Sequence, residues 1–220
     1  MHLEYPISGS SNIEVAAVLF TKSVRVNIVN FKGSTASPGE INRYWGKVAE
    51  RYAQVGVMVE WVLKDKVTKP SGIGNLVNVY GSGGNAASWG LPNKKLSDEF
   101  KKIIEDHGTK TGNTDVRVFY VYEMGWESGV ALTGILRGAA PAKTHLDSAQ
   151  SGYENNILIS GRDTGIFTAA HELGHLVLTT NVASSTGTIT HLPQTEFRNI
   201  MVKSPVHTDD IEGSKRFDEY

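Results

Sequence analysis

Apolar and polar residues follow one another along the chain in patterns that predict strands and helices in turn. Residues 24–31 alternate apolar with polar side chains, which is typical of a strand with one buried face. After Ser37 and Pro38, apolar residues recur at helical spacing over residues 41–55. Ser is a favoured helix N-cap, Pro suits the first helical position, and Gly56 stands where a helix stop is expected. The pattern therefore predicts a strand followed by an amphipathic helix.

Elsewhere, periodicity and breaker residues predict five more strands and two more helices. A short helix begins at Ser97 and ends near His107, and an apolar helix covers residues 164–180. Residues 64–89 are rich in Gly, Ser, Asn and Lys, and this composition predicts a loop or an insertion with one short strand. Residues 1–10 are expected to be a linker. The strands are predicted at residues 57–63, 76–80, 116–122, 129–137 and 156–160.

Composition and charge narrow the classes of partner. The chain has 220 residues and no cysteine, which excludes a disulfide framework and thiolate ligands for a metal. Lysine and arginine number 22 against 23 acidic residues, so no field of one sign attracts nucleic acid, and we expect no nucleic-acid partner. The apolar run at residues 15–20 is too short to span a bilayer, and we expect no membrane span.

The residues with the clearest chemistry lie in the predicted apolar helix. His171 and His175 are four residues apart, so they project from one face of a helix, one above the other. Two imidazoles at this spacing can bind one zinc ion. Glu172, rotated by about 100° around the helix, can reach the attacking water, as in a zinc hydrolase. The alternative is a pair of surface or core histidines on an ordinary helix. On an apolar helix, two adjacent imidazoles and a carboxylate would be hard to satisfy with hydrogen bonds.

A catalytic zinc ion takes three protein ligands and leaves one coordination position open. Downstream of His175, the candidates for the third ligand are His191, Glu196 and His207. The remaining histidines, His2, His107 and His145, are expected to be ordinary surface residues.

The segment around the two helical histidines resembles the metzincin metallopeptidases, which are zincins with a third histidine followed by a methionine-containing turn. His171, Glu172 and His175 match the helix motif, and the Asn-Ile-Met sequence that ends at Met201 resembles the Met-turn. The resemblance implies a Zn²⁺ ion held by His171, His175 and His191. It also implies that Glu172 is the general base and proton shuttle and that Met201 forms an apolar floor beneath the metal.

The chain departs from the family pattern after the second histidine. Leu178 and Asn181 occupy the positions at which the family has a glycine and its third histidine. A longer helix and a loop rich in Ser, Thr and Gly can bring His191 back to the metal instead. Lys203 stands where the family commonly has a tyrosine after the methionine. Glu196 is the alternative third ligand, as in zincins that use a downstream glutamate.

The order of the predicted elements resembles the upper half of the zincin fold. It implies an α+β fold with a twisted mixed sheet of about five strands, an antiparallel edge strand and two long helices packed on the sheet, plus a mostly irregular C-terminal subdomain. We expect a single catalytic domain over residues 1–220, with an upper part at about 11–180, a lower part at about 181–208 and a charged tail at 209–220.

The resemblance implies a zinc-dependent endopeptidase that hydrolyses peptide bonds by zinc-activated water. A peptide or protein substrate is expected to pair with the edge strand at residues 129–137, the alternative being a plain sheet edge protected by its glycines. We expect a monomer and a secreted or extracellular location, with control by secretion, by a removed segment or by a proteinaceous inhibitor. The rival functions are a non-catalytic metal- or partner-binding module on a zincin scaffold, and the toxin or effector peptidase domain of a larger secreted protein.

Overall fold

The computed structural model describes residues 2–7, 11–16, 22–81, 95–107, 115–127, 137–141, 152–163 and 166–177. In these ranges the chain has a mixed α+β fold, which agrees with the predicted class. None of the helices in these ranges is long and apolar enough to cross a membrane. In chain order, the elements are β1 (His2–Ile7), β2 (Ser11–Ala16), β3 (Lys22–Phe31), α1 (Pro38–Ala53), β4 (Val57–Val67), β5 (Leu76–Tyr80), α2 (Asp98–His107), β6 (Val116–Val121), β7 (Glu123–Glu127), β8 (Gly138–Ala139), β9 (Asn156–Ser160) and α3 (Ile166–Val177).

Both ends of helix α1 lie where the sequence predicts them. Ser37 is the N-cap: its hydroxyl accepts the backbone N–H of Glu40 at 3.2 Å, and the Glu40 carboxylate accepts the N–H of Ser37 at 3.0 Å. This reciprocal pair satisfies two N–H groups that the first turn leaves without a helical partner. After the helix, Gly56 has a φ of 72°, a left-handed conformation that glycine adopts without steric cost.

Among the described residues, the main sheet has five strands in the order β4-β3-β6-β9-β8. The first four are parallel, and β8 runs antiparallel to β9 at the edge. Every residue of the central strand β6 is buried, as expected of a parallel strand covered on both faces. Apolar residues of α1 and α3 cover one face of the sheet, and those of α2 and β5 cover the other. The mixed five-stranded sheet is therefore confirmed. Its antiparallel edge strand is Gly138–Ala139, one residue past the edge strand predicted at 129–137, of which the structure describes Arg137 alone.

Several elements differ from their predicted bounds. Strand β4 continues past residue 63 to Val67, because the polar residues 64–66 are tolerated on a strand at the sheet edge. Strand β7 was not predicted, since Glu-Met-Gly-Trp-Glu has no strand alternation, and it pairs in parallel with β5. Strands β1 and β2 form an antiparallel hairpin, so the expectation of a linker at residues 1–10 is wrong. Residues 128–136, which include most of the predicted edge strand, lie outside the described ranges.

Candidate metal centre

Helix α3 carries two of the predicted zinc ligands on one face. Nε2 of His171 lies 3.2 Å from Nε2 of His175, and the ring centroids are 4.7 Å apart with an interplanar angle of 87°. The side chain of His171 is buried and that of His175 is half-buried. Helical spacing thus brings two ring nitrogens close to one point, as the sequence predicts.

The separation of the two nitrogens fits a pair of ligands to one tetrahedral ion. Zinc–nitrogen bonds of about 2.0–2.1 Å at a tetrahedral angle place two nitrogens about 3.3 Å apart. The distance of 3.2 Å between Nε2 of His171 and Nε2 of His175 agrees with that value. Imidazole is also a preferred ligand of zinc, so the residues present fit the metal that the motif implies.

The candidates for a third ligand are outside the part of the chain that the structure describes. Within the described ranges, no group of three His, Asp or Glu side chains is arranged to hold a metal ion. His191, Glu196 and His207 all lie after residue 177, as does Met201. The choice between His191 and Glu196 therefore stays a prediction.

Glu172 is buried on the helix next to the first histidine. Its side chain is 8% exposed, and its carboxylate accepts a hydrogen bond from the backbone N–H of Ala140, just after strand β8. Burial raises the pKa of Glu172 to about 8, and the hydrogen bond from Ala140 opposes this change.

Two side chains from distant parts of the chain hold helix α3. The buried hydroxyl of Tyr52 on α1 donates a hydrogen bond to the carbonyl oxygen of Ala170 at 2.7 Å. Nζ of Lys22, at the start of β3, donates to the carbonyl oxygen of Val177 at 3.0 Å. Val177 is the last residue of α3 that the structure describes. The helix that carries the histidines is thus anchored at Ala170 and at Val177.

Replacing Tyr52 by Phe tests the anchor at Ala170. We expect Tyr52→Phe to lower the free energy of unfolding by about 1 kcal/mol, because the ring stays and one buried hydrogen bond is lost. Urea denaturation gives this value. Tyr44→Phe is the matched control, since Tyr44 lies on the same helix and is only half-buried. The guanidinium of Arg43 lies 5.0 Å from the centre of the Tyr44 ring, a contact that the substitution keeps. Equal losses in the two variants would contradict the anchoring role of the Tyr52 hydroxyl.

Sequence reasoning did not identify the residues that surround Glu172 and support its helix. Tyr52 lies in the segment 41–55 that was predicted as a helix but was given no role, and Ala140 was not singled out. The signal that points to the Ala140 contact is the run of small residues Gly138-Ala139-Ala140, since glycine in a strand often marks a close approach of backbone. Nothing in the local pattern shows what that backbone approaches.

His107 lies on the opposite face of the sheet from the pair on α3. His107 ends helix α2, and its ring meets that of Phe31 edge-on with centroids 5.1 Å apart. Phe31 belongs to the core on the opposite face of the sheet from α3. His107 is half-buried rather than a surface residue, and burial lowers its pKa. His2 lies in β1, and His145 is outside the described ranges.

Function has to be inferred from the arrangement of His171, Glu172 and His175. No protein-family model matches the chain, and no curated protein matches it in a sequence comparison.

Proposed function

We propose that the chain is a zinc-dependent endopeptidase of the metzincin type. The observation that supports this most directly is the pair of Nε2 atoms on His171 and His175, 3.2 Å apart, with the buried Glu172 between them in sequence. Zinc-assisted hydrolysis needs imidazoles separated by the distance between two ligands of one zinc ion, and a carboxylate next to them as the proton acceptor.

In this proposal His171, His175 and either His191 or Glu196 would hold the metal. When bound, zinc supplies Lewis acidity that polarises the scissile carbonyl group and acidifies a water molecule. A carboxylate oxygen of Glu172 takes the proton from the attacking water. The protonated side chain then gives that proton to the amine nitrogen as the peptide bond breaks.

The topology of the sheet supports the same assignment. The resemblance to zincins implies a strand, a long helix, a strand, an insertion, a strand, an edge strand, a strand and then the helix with the metal ligands. The main sheet and its helices follow this order from β3 to α3, and β8 is the antiparallel edge strand. The chain passes from β9 through a single 3₁₀ turn, Gly161–Asp163, towards α3, which begins at Ile166.

The proposed substrate is an extended peptide. It would pair as an additional strand with the edge strand that the sequence predicts at residues 129–137, directly before β8, where main-chain hydrogen bonds supply affinity. The support for this is the position of β8 at the end of the described strand order, beside the helix that carries Glu172.

Metal analysis together with a digest of a broad peptide library tests the proposed function. We expect the purified protein to bind zinc in an equimolar amount and to cleave library peptides internally. A chelator should abolish cleavage, and added Zn²⁺ should restore it. Added Mg²⁺ is the control and should not restore activity, because it prefers oxygen ligands. Zinc binding without any cleavage would favour the non-catalytic module, and a protein that binds no zinc would contradict the proposal.

A further inference from the structure

Strand β8 lies closer to helix α3 than a strand with ordinary side chains could. A Cβ atom at Gly138 would lie 2.7 Å from Cγ of Glu172 and 2.8 Å from Cγ2 of Thr168. It would also lie 3.0 Å from Oε1 of Glu172. Real Cβ atoms do not make contacts shorter than 3.0 Å, so Glu172 and Thr168 would have to shift to admit one, and the φ of Gly138 is not positive. The close approach of these side chains, rather than an unusual backbone conformation, therefore favours glycine here.

The backbone next to Gly138 also supplies a hydrogen-bond donor to Glu172. The N–H of Ser160 on β9 donates to the carbonyl oxygen of Arg137 at 2.9 Å, so Arg137 points its backbone groups towards β9. Successive residues of an antiparallel strand point these groups in alternate directions. Ala140, three residues later, therefore points its N–H away from β9. This N–H donates to the carboxylate of Glu172.

We propose that Gly138 is a positioning residue for the general base. Because Gly138 has no Cβ, β8 can lie against Glu172 and Thr168, and only then can the N–H of Ala140 bind the Glu172 carboxylate. Thr168 is buried one helical turn before Glu172 and forms the other wall of the narrow space beside Gly138. The role assigned to Gly138 rests on the proposed function, since it acts through Glu172.

The first test is the kinetics of Gly138→Ala on a fluorogenic peptide chosen from the library digest. The added Cβ must displace Glu172 or Thr168, and a small misplacement of a reacting group lowers the rate strongly. We expect kcat to fall by about 10-fold to 100-fold, with zinc content unchanged and KM altered by less than about twofold. Wild-type kcat, or a rise in KM at unchanged kcat, would overturn the proposal.

Two further variants control this measurement. Gly39→Ala makes the same chemical change in α1, where a Cβ would meet no atom within 4 Å, and it should keep wild-type kinetics. Thr168→Ser removes the methyl group that a Cβ at position 138 would meet but keeps the hydroxyl. Adding Thr168→Ser to Gly138→Ala should therefore recover part of the lost kcat, and no recovery would count against the steric explanation.

A second measurement does not depend on catalysis. Glu172→Ala removes both Glu172 atoms that a Cβ at position 138 would approach within 3.0 Å. Gly138→Ala should therefore lower the urea midpoint less in a Glu172→Ala background than in the wild-type background. If Gly138→Ala alone does not fold, a triple variant that adds Glu172→Ala and Thr168→Ser removes all three atoms near the new Cβ and should fold. Equal shifts in the two backgrounds, or failure of the triple variant to fold, would overturn the close contact.

The outcomes separate this inference from the proposed function. Wild-type cleavage by Glu172→Gln would mean that the proposed function fails, and the assignment of Gly138 to a general base fails with it. An inactive Glu172→Gln beside a fully active Gly138→Ala would leave the proposed function standing and overturn only the positioning role.

Discussion

Glu172→Gln is expected to lower kcat for peptide cleavage by about 10²–10⁴-fold, the range attributed to a general acid–base group. The amide has nearly the shape of the carboxyl group, and its oxygen can still accept the N–H of Ala140. It cannot take a proton from the attacking water. Zinc content, measured by elemental analysis, should stay at the wild-type level because the histidine pair is untouched.

The neighbouring residue Thr168 offers a matched control for this substitution. Thr168→Ser is also a small change at a buried position of α3, one turn earlier, and it leaves the proton acceptor in place. We expect it to keep more than about a tenth of wild-type kcat, since it affects only packing. A Glu172→Gln variant as active as Thr168→Ser would remove Glu172 from the proposed mechanism.

Loss of one imidazole from the helix pair should release the metal. Substituting residues that merely orient a metal ligand costs about 10–100-fold in metal affinity, so removing a ligand itself should cost at least about 100-fold. We therefore expect His171→Ala and His175→Ala each to lose zinc on dialysis and to lose peptidase activity with it. Competition with a chromophoric chelator measures the affinity.

The control for these variants is His107→Ala, which makes the same change on the opposite face of the sheet and should retain zinc. The same assay assigns the third ligand. His191→Ala should weaken zinc binding as strongly as His175→Ala does, whereas Glu196→Gln should not. The reverse result would make Glu196 the third ligand, and full retention of zinc by His175→Ala would contradict the metal centre.

Elements whose own residues show regular apolar spacing or a capping residue could be predicted from the sequence. Regular apolar spacing is found in strands β3 and β9 and in helices α1 and α2. The two helices also have local N-caps, Ser37 before α1 and Ser97 before α2. The hydroxyl of Ser97 accepts the backbone N–H of Phe100 at 2.9 Å, as a cap should. Local capping does not depend on the rest of the fold, and for this reason the predicted ends agree with those observed.

Elements that depend on a partner strand were missed or wrongly bounded. Strand β7 contains a glycine and two glutamates and is a strand only through its pairing with β5. The end of β4 contains Lys64, Asp65 and Lys66, which look like a loop until the strand is seen to continue beside β3. Pairing across the sheet outweighs weak local propensity at such positions.

The sequence by itself determined that a helix presents His171 and His175 on one face with Glu172 beside them, because helical geometry is local and fixes the spacing of residues four apart. The tertiary structure alone decided what surrounds them. Gly138 lies against Glu172, and the hydroxyl of Tyr52 binds the carbonyl of Ala170. These contacts join residues far apart in the chain, and they depend on strand order and helix packing, which no local pattern encodes.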